Sequence, residues 1–143
     1  FSGAGKRMEK IYTSDNQVVY RDFAHSPSKL NATTDAVKEA YKGNLTAVFE
    51  LHTFSSLNIE FLPYYKDSMQ AADQAIVFYN EAVFEHKKMP FMSREFVKSC
   101  FGNIEVINEP EDLELIVNTA FEKGNNLLLM SSGKFNGASF KFD

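Results

Sequence analysis

The sequence predicts an α/β domain of three layers, with helices covering both faces of a mostly parallel sheet. Three observations carry that expectation. Short apolar runs alternate with amphipathic stretches along the chain, as strands joined by covering helices do. Two β-rich segments open it with only a turn between them, which adds an N-terminal hairpin. "NNLLLMSSG" (125–133) holds four apolar residues in a row, the mark of a strand covered on both faces.

Each element has a local reason. "MEKIYTS" (8–14) and "QVVYRDF" (17–23) flank Asp15-Asn16, a pair suited to a turn. Ser26-Pro27 offers an N-cap and a first-turn proline. Leu30, Thr34, Val37 and Tyr41 then recur at helical spacing until Gly43 stops the helix. "LTAVFEL" (45–51) reads as a buried strand, "HTFSSLN" (52–58) as a loop, and residues from about 60 to 72 as a helix. "QAIVFYN" (74–80) is a further strand. "SREFVKSCFG" (93–102) is a short helix capped by Ser93 and ended by Gly102, and "IEVI" (104–107) is a short strand. "PEDLELIVNTAFEKG" (110–124) starts at a proline, carries acids in its first turn and closes on Gly124.

At 143 residues and 16.2 kDa the chain has the length of one domain, with no internal repeat or linker. A net charge of −4 argues against a protein that coats nucleic acid. The lone Cys100 excludes an internal disulfide and suits a reducing compartment; flanked by helix formers, it reads as a half-buried structural thiol. No apolar run reaches the roughly 18–20 residues of a membrane span. A start at Phe1, without methionine or signal peptide, reads as a piece of something longer.

In open parallel sheets, ligands sit beyond the carboxyl ends of the strands. That rule selects loops 22–29, 50–58 and 131–137, all rich in Ser, Thr, His and Asn. Within them His25 and His52 admit two readings, a loop-capping histidine or a ligand contact. His86, in the charged run "FEHKKM", reads as solvated surface, and the three histidines are too dispersed for a zinc site. "GAGK" (3–6) and "SSGK" (131–134) both fail the phosphate-loop pattern, which needs an earlier glycine and a final hydroxyl. Ser26-x-x-Lys29, Ser131-x-x-Lys134 and Ser14-Asp-Asn16 imitate penicillin-binding elements. A KTG element is missing, and Ser26 is taken by its helix cap.

The motifs in order resemble the C-terminal domain of the Mur ligases. Lys6, Arg7 and Glu9 fit that family's opening basic strand. Asp22, Phe23, Ala24, His25 and Pro27 fit its Asp-aromatic-Ala/Gly-His-x-Pro turn, and Phe49, His52, Phe54 and Ser55 its FxxHxYS loop. "LLLMSSGKFNG" is similar to the MSNGGFGG stretch of the family's murein peptide ligase branch.

The resemblance implies a Rossmann-like three-layer domain, residues 1–143, belonging to a longer three-domain cytoplasmic enzyme. It implies a ligase in which ATP phosphorylates a muramate carboxyl and an amine displaces the phosphate. The phosphate loop and magnesium ligands would lie in a central domain, the UDP-sugar site in an N-terminal one. No catalytic or metal-binding residue is then expected here, and the isolated domain should be inactive. By resemblance, Arg7, Asp22 and His25 would meet ATP. His52, Ser55, Ser131, Ser132 and Asn136 would lie near the incoming amine, and neither nucleic acid nor membrane would be a partner. Alanine-adding members carry two arginines in the middle loop where this chain has Thr53 and Ser56. That departure favours joining the tripeptide L-Ala-γ-D-Glu-meso-diaminopimelate to UDP-N-acetylmuramate. Lys134, where the closing stretch often has glycine, would face a peptide carboxylate. Addition of L-alanine, and a non-catalytic α/β ligand-binding domain, stay open as alternatives.

Overall fold

A computed structural model describes residues 8–53 and 56–142. Six strands form one sheet in the order β1-β2-β6-β3-β4-β5. They run Glu9–Thr13 (β1), Val18–Asp22 (β2), Leu45–Glu50 (β3), Gln74–Phe78 (β4), Glu105–Ile107 (β5) and Asn126–Met130 (β6). β1 and β2 pair antiparallel, and every other pairing is parallel. The hairpin turns at Asp15-Asn16 as expected, closed by Ser14 N–H donating to the Gln17 carbonyl at 2.8 Å. β6 lies between β2 and β3 with all five residues buried, as its apolar run requires.

Helices α1 (Pro27–Ala40), α2 (Ala82–His86), α3 (Arg94–Phe101) and α4 (Pro110–Glu122) complete the chain. Side chains alternate across each strand, so each supplies both faces. Leu45, Ala47 and Phe49 of β3 join Leu30 and Val37 of α1 and Val97 and Phe101 of α3 in one core. Val48, with Val19, Leu127 and Leu129, meets Leu113 and Val117 of α4 in the other. The caps are those the sequence predicts. Ser26 Oγ accepts from Lys29 N–H at 3.4 Å, and Ser93 Oγ from Phe96 N–H at 3.1 Å. α4 starts at Pro110 with Glu111 and Asp112 in its first turn. Cys100 is 6% exposed and burial raises its thiol pKa, which fits a structural role.

One element differs. The helix predicted over about 60–72 is a single 3₁₀ turn, Leu62–Tyr65, followed by turns. Asp67 takes a positive φ of 59°, and its N–H goes to the Phe101 carbonyl at 3.0 Å, off any helical ladder. Leu62, Tyr65 and Met69 are buried, with the Tyr65 ring stacked on Phe101 at 5.0 Å, so packing decides the path. The short α2, unforeseen, follows β4.

The hairpin is anchored by a buried amide. Asn126 Oδ1 accepts from Val18 N–H at 2.9 Å, while its Nδ2 donates to the Lys42 carbonyl at 3.0 Å. At the sheet's other end the five parallel strands β2–β6 deliver their carboxyl termini together, and the loops that follow them converge there.

Candidate functional site

A cleft of about 740 Å³ opens over those termini. Arg21 reaches it from β2 and Glu50 from β3, Phe23, His52 and Asn80 from just beyond β2, β3 and β4, and Ser132 and Asn136 from the loop after β6. α2 supplies the far wall through Ala82, Val83, His86 and Lys87. Its position is the one the parallel-sheet rule selects.

Glu50 organises the floor. Its carboxylate is 6% exposed and ends β3 on the face turned toward α4. Oε1 accepts from Ser131 Oγ at 2.5 Å and from Phe135 N–H at 2.9 Å. Ser131 Oγ in turn accepts from Gly133 N–H at 2.7 Å. One buried oxygen thus ties loop 131–137 to the end of β3. Asn136 and Phe135 hold left-handed backbones, φ 53° and 54°, which fold the loop back over the strand ends. Gly133 packs flat against the His52 ring, where an added Cβ would sit 3.0 Å from Cδ2. His52 N–H donates to Ser56 Oγ at 3.1 Å, which seats the start of its loop.

The predicted residues fall into two groups. His52, Ser132 and Asn136 line the cleft, and Ser131 lies beneath it, 2% exposed, bonded to Glu50. Asp22 and His25 stand apart. Alternation turns Asp22 toward α1, where Oδ2 accepts from Thr33 Oγ1 at 3.1 Å and Oδ1 from Phe23 N–H at 2.9 Å. His25 is exposed, with Nδ1 3.1 Å from the Phe23 carbonyl, and its own carbonyl accepts from the buried Tyr65 hydroxyl. Arg7 and Ser55 lie outside the described residues, as do Lys6 and Phe54. Lys134 lines the cleft with an exposed side chain.

Arg21, Glu50, Asn80 and Lys87 were not foreseen. His86, read as merely solvated, is exposed and also faces the cleft. Among the described residues, no group of three His, Cys, Asp or Glu side chains could hold a metal ion. No helix among them is long and apolar enough to cross a membrane.

Comparison with known proteins identifies the family. Residues 6–133 match the family model described as Mur ligase, glutamate ligase domain. The chain is 30% identical over 139 residues to a UDP-N-acetylmuramate–L-alanine ligase of Caldicellulosiruptor bescii, covering 95% of this chain and 30% of that protein. A namesake from Caldicellulosiruptor saccharolyticus is 31% identical over 140 residues, with the same coverage. Among solved structures, the murein peptide ligase of Psychrobacter arcticus superposes with a TM-score of 0.71 at 22% identity, over 96% of this chain and 29% of that one. A domain ascribed to a UDP-N-acetylmuramate:L-alanyl-γ-D-glutamyl-meso-diaminopimelate ligase of Haemophilus ducreyi gives 0.58 at 22% identity, covering 92% and 93%. These two likenesses carry the fold. The chain spans 30% of the length of the curated relatives it matches.

Proposed function

The chain belongs to the Mur ligases, and on that premise we propose that it is the C-terminal domain of an ATP-dependent ligase joining murein tripeptide to UDP-N-acetylmuramate. The carrying observation is the turn after β3. Thr53 Oγ1 and Ser56 Oγ lie 3.1 Å apart, Ser56 N–H donates to Thr53 Oγ1, and Ser56 Oγ donates to the Thr53 carbonyl. By the resemblance, alanine-adding members carry arginines at these two positions; here Thr53 and Ser56 bond each other and offer no guanidinium. The cleft beside it, about 740 Å³, lies in the range of roughly 300–1,000 Å³ that suits extended ligands. Its cationic rim of Arg21 and Lys134 suits a peptide with several carboxylates.

In this reading His52, Ser55, Ser131, Ser132 and Asn136 form or support the peptide site. Asp22, His25 and Arg7 form the nucleotide edge. Each Asp22 oxygen holds one protein donor, so each keeps acceptor capacity for a ribose hydroxyl. ATP supplies the phosphoryl group that activates the muramate carboxyl, and magnesium is held by another domain. This chain's task is to orient the amine and keep water from the activated carboxyl as the domains close. Alone it should turn over nothing.

Addition of free L-alanine is the second reading, favoured by the names of the curated relatives. Both are decided by supplying the full-length protein with ATP, UDP-N-acetylmuramate and either amine, and measuring ADP and product mass. The tripeptide should give the higher kcat/KM. Preference for alanine overturns the peptide reading, and no product with either overturns the ligase reading.

A further inference from the structure

Glu50 is a carboxylate more than nine-tenths buried, and its hydrogen bonds occupy only half of it. Ser131 and Phe135 both donate to Oε1. Oε2 has no partner among the described residues, yet it is not among the buried polar atoms left unsatisfied. The side chain lines the cleft, which puts that oxygen within reach of a bound ligand. Arg21 and Lys134 stand on the same lining, and among the described residues no second acid does. Open to the cleft, that oxygen keeps its acceptor capacity for a cation that arrives there. The latch on loop 131–137 explains Oε1. It does not explain Oε2, since a neutral amide would serve the latch equally.

We infer that Glu50 Oε2 is the seat of the ammonium group of a zwitterionic peptide or amino acid bound in this cleft, its carboxylates lying toward Arg21 and Lys134. The donors on Oε1 fix the carboxylate so that Oε2 faces the ligand before it arrives, which removes the ordering cost of binding. Glu50 thereby selects for a free amine, while the cationic rim selects for acidity. The ligand's identity as a murein peptide rests on the function proposed above; the ammonium seat itself rests on the geometry.

The test uses the dipeptide L-alanyl-γ-D-glutamate and its N-acetylated form, titrated into the isotopically labelled chain. Amide resonances of Ser131, Gly133 and Phe135 report binding. The free-amine peptide should shift them, with the acetylated form at least about tenfold weaker, the loss of one charge-assisted hydrogen bond. Glu50→Gln keeps an acceptor for Ser131 and Phe135, so it should melt within about 3 °C of the parent. It should nonetheless lose about tenfold in affinity for the free-amine peptide and nothing for the acetylated one. A purely structural Glu50 would leave that ratio unmoved.

Equal binding of the two peptides by the unaltered chain overturns the inference, as does absence of binding at the highest soluble concentration. Neither result depends on the variant folding. In the full-length protein, Glu50→Gln should raise KM for the amine and leave KM for ATP unchanged. Coupling of tripeptide with an unchanged amine KM sinks the ammonium seat alone. Free-amine binding by a protein that couples nothing sinks the ligase reading alone.

Discussion

Replacing Gly133 by alanine tests how the cleft is built. The new Cβ would stand 3.0 Å from His52 Cδ2 and 3.1 Å from Cε1 and Cγ. Carbon atoms at rest sit about 3.5–4.0 Å apart, so the contact is short by roughly half an ångström against three atoms of a rigid ring. The ring must move as a unit. Gly133 is not in the left-handed region, so alanine meets no backbone strain there. Stiffening the unfolded chain contributes about 0.4–1 kcal/mol in favour of the variant. Overpacking costs about 1–3 kcal/mol, nearer the low end here because His52 is only half-buried and can swing into the cleft. The net is a loss of about 0–2 kcal/mol, or a melting temperature lower by a few degrees.

The functional effect should be larger than the structural one. A displacement of half an ångström or more at a positioning side chain costs on the order of tenfold in productive binding. The assay pairs thermal unfolding with the imidazole proton shifts of His52 and the KM for the amine. Gly133→Ala should move the His52 resonances and raise that KM, with melting lowered by no more than a few degrees. Unmoved resonances and an unchanged KM would refute the claim that His52 and loop 131–137 form one packed wall.

Other outcomes follow from the same contacts. Asn126→Ala strands the buried Val18 N–H and removes the half-buried bond to the Lys42 carbonyl, and should cost about 1–3 kcal/mol by denaturant unfolding; a loss below 1 kcal/mol would show that the hairpin does not need this amide. The Asp73 carboxyl is held below its ordinary range first by Lys38 at 2.6 Å, then by the Leu45 N–H. A depressed acid stabilises above its unfolded pKa and loses that contribution as pH falls through the folded value. Asp73→Asn should therefore cost about 0.2–1 kcal/mol at neutral pH, with the difference vanishing well below pH 3.8; a pH-independent gap would contradict it. In the full-length protein, Asp22→Ala should raise KM for ATP, and an unchanged value would remove the ribose role.

Much of the fold was legible because its signals are local. Ser26-Pro27, Ser93, Asp15-Asn16 and the run Leu127–Met130 each fix their surroundings through neighbours in sequence. The segment 60–72 was misread because its aromatic and apolar residues suit a helix. The pull of Tyr65 onto Phe101 and of Asp67 onto the Phe101 carbonyl comes from 34 or more residues away. The loops at the strand ends were legible by topology, and Ser132, His52 and Asn136 do meet there. Glu50 opens the selected loop 50–58, but its role was not legible, since at the end of an apolar strand nothing local marks it. Its partners Ser131 and Phe135 lie 81 and 85 residues on. Arg21 and Asp22 show a finer point: adjacent in sequence, they face opposite sides of the sheet, and only the register says which side holds the cleft.

The most direct test is a crystal structure of the full-length protein with UDP-N-acetylmuramate, a non-hydrolysable ATP analogue and the tripeptide. The peptide should lie in the cleft between α2 and loop 131–137, its free amine on Glu50 and its contacts including Ser132 and Asn136. A nucleotide in that cleft, or the peptide bound elsewhere, would contradict the account.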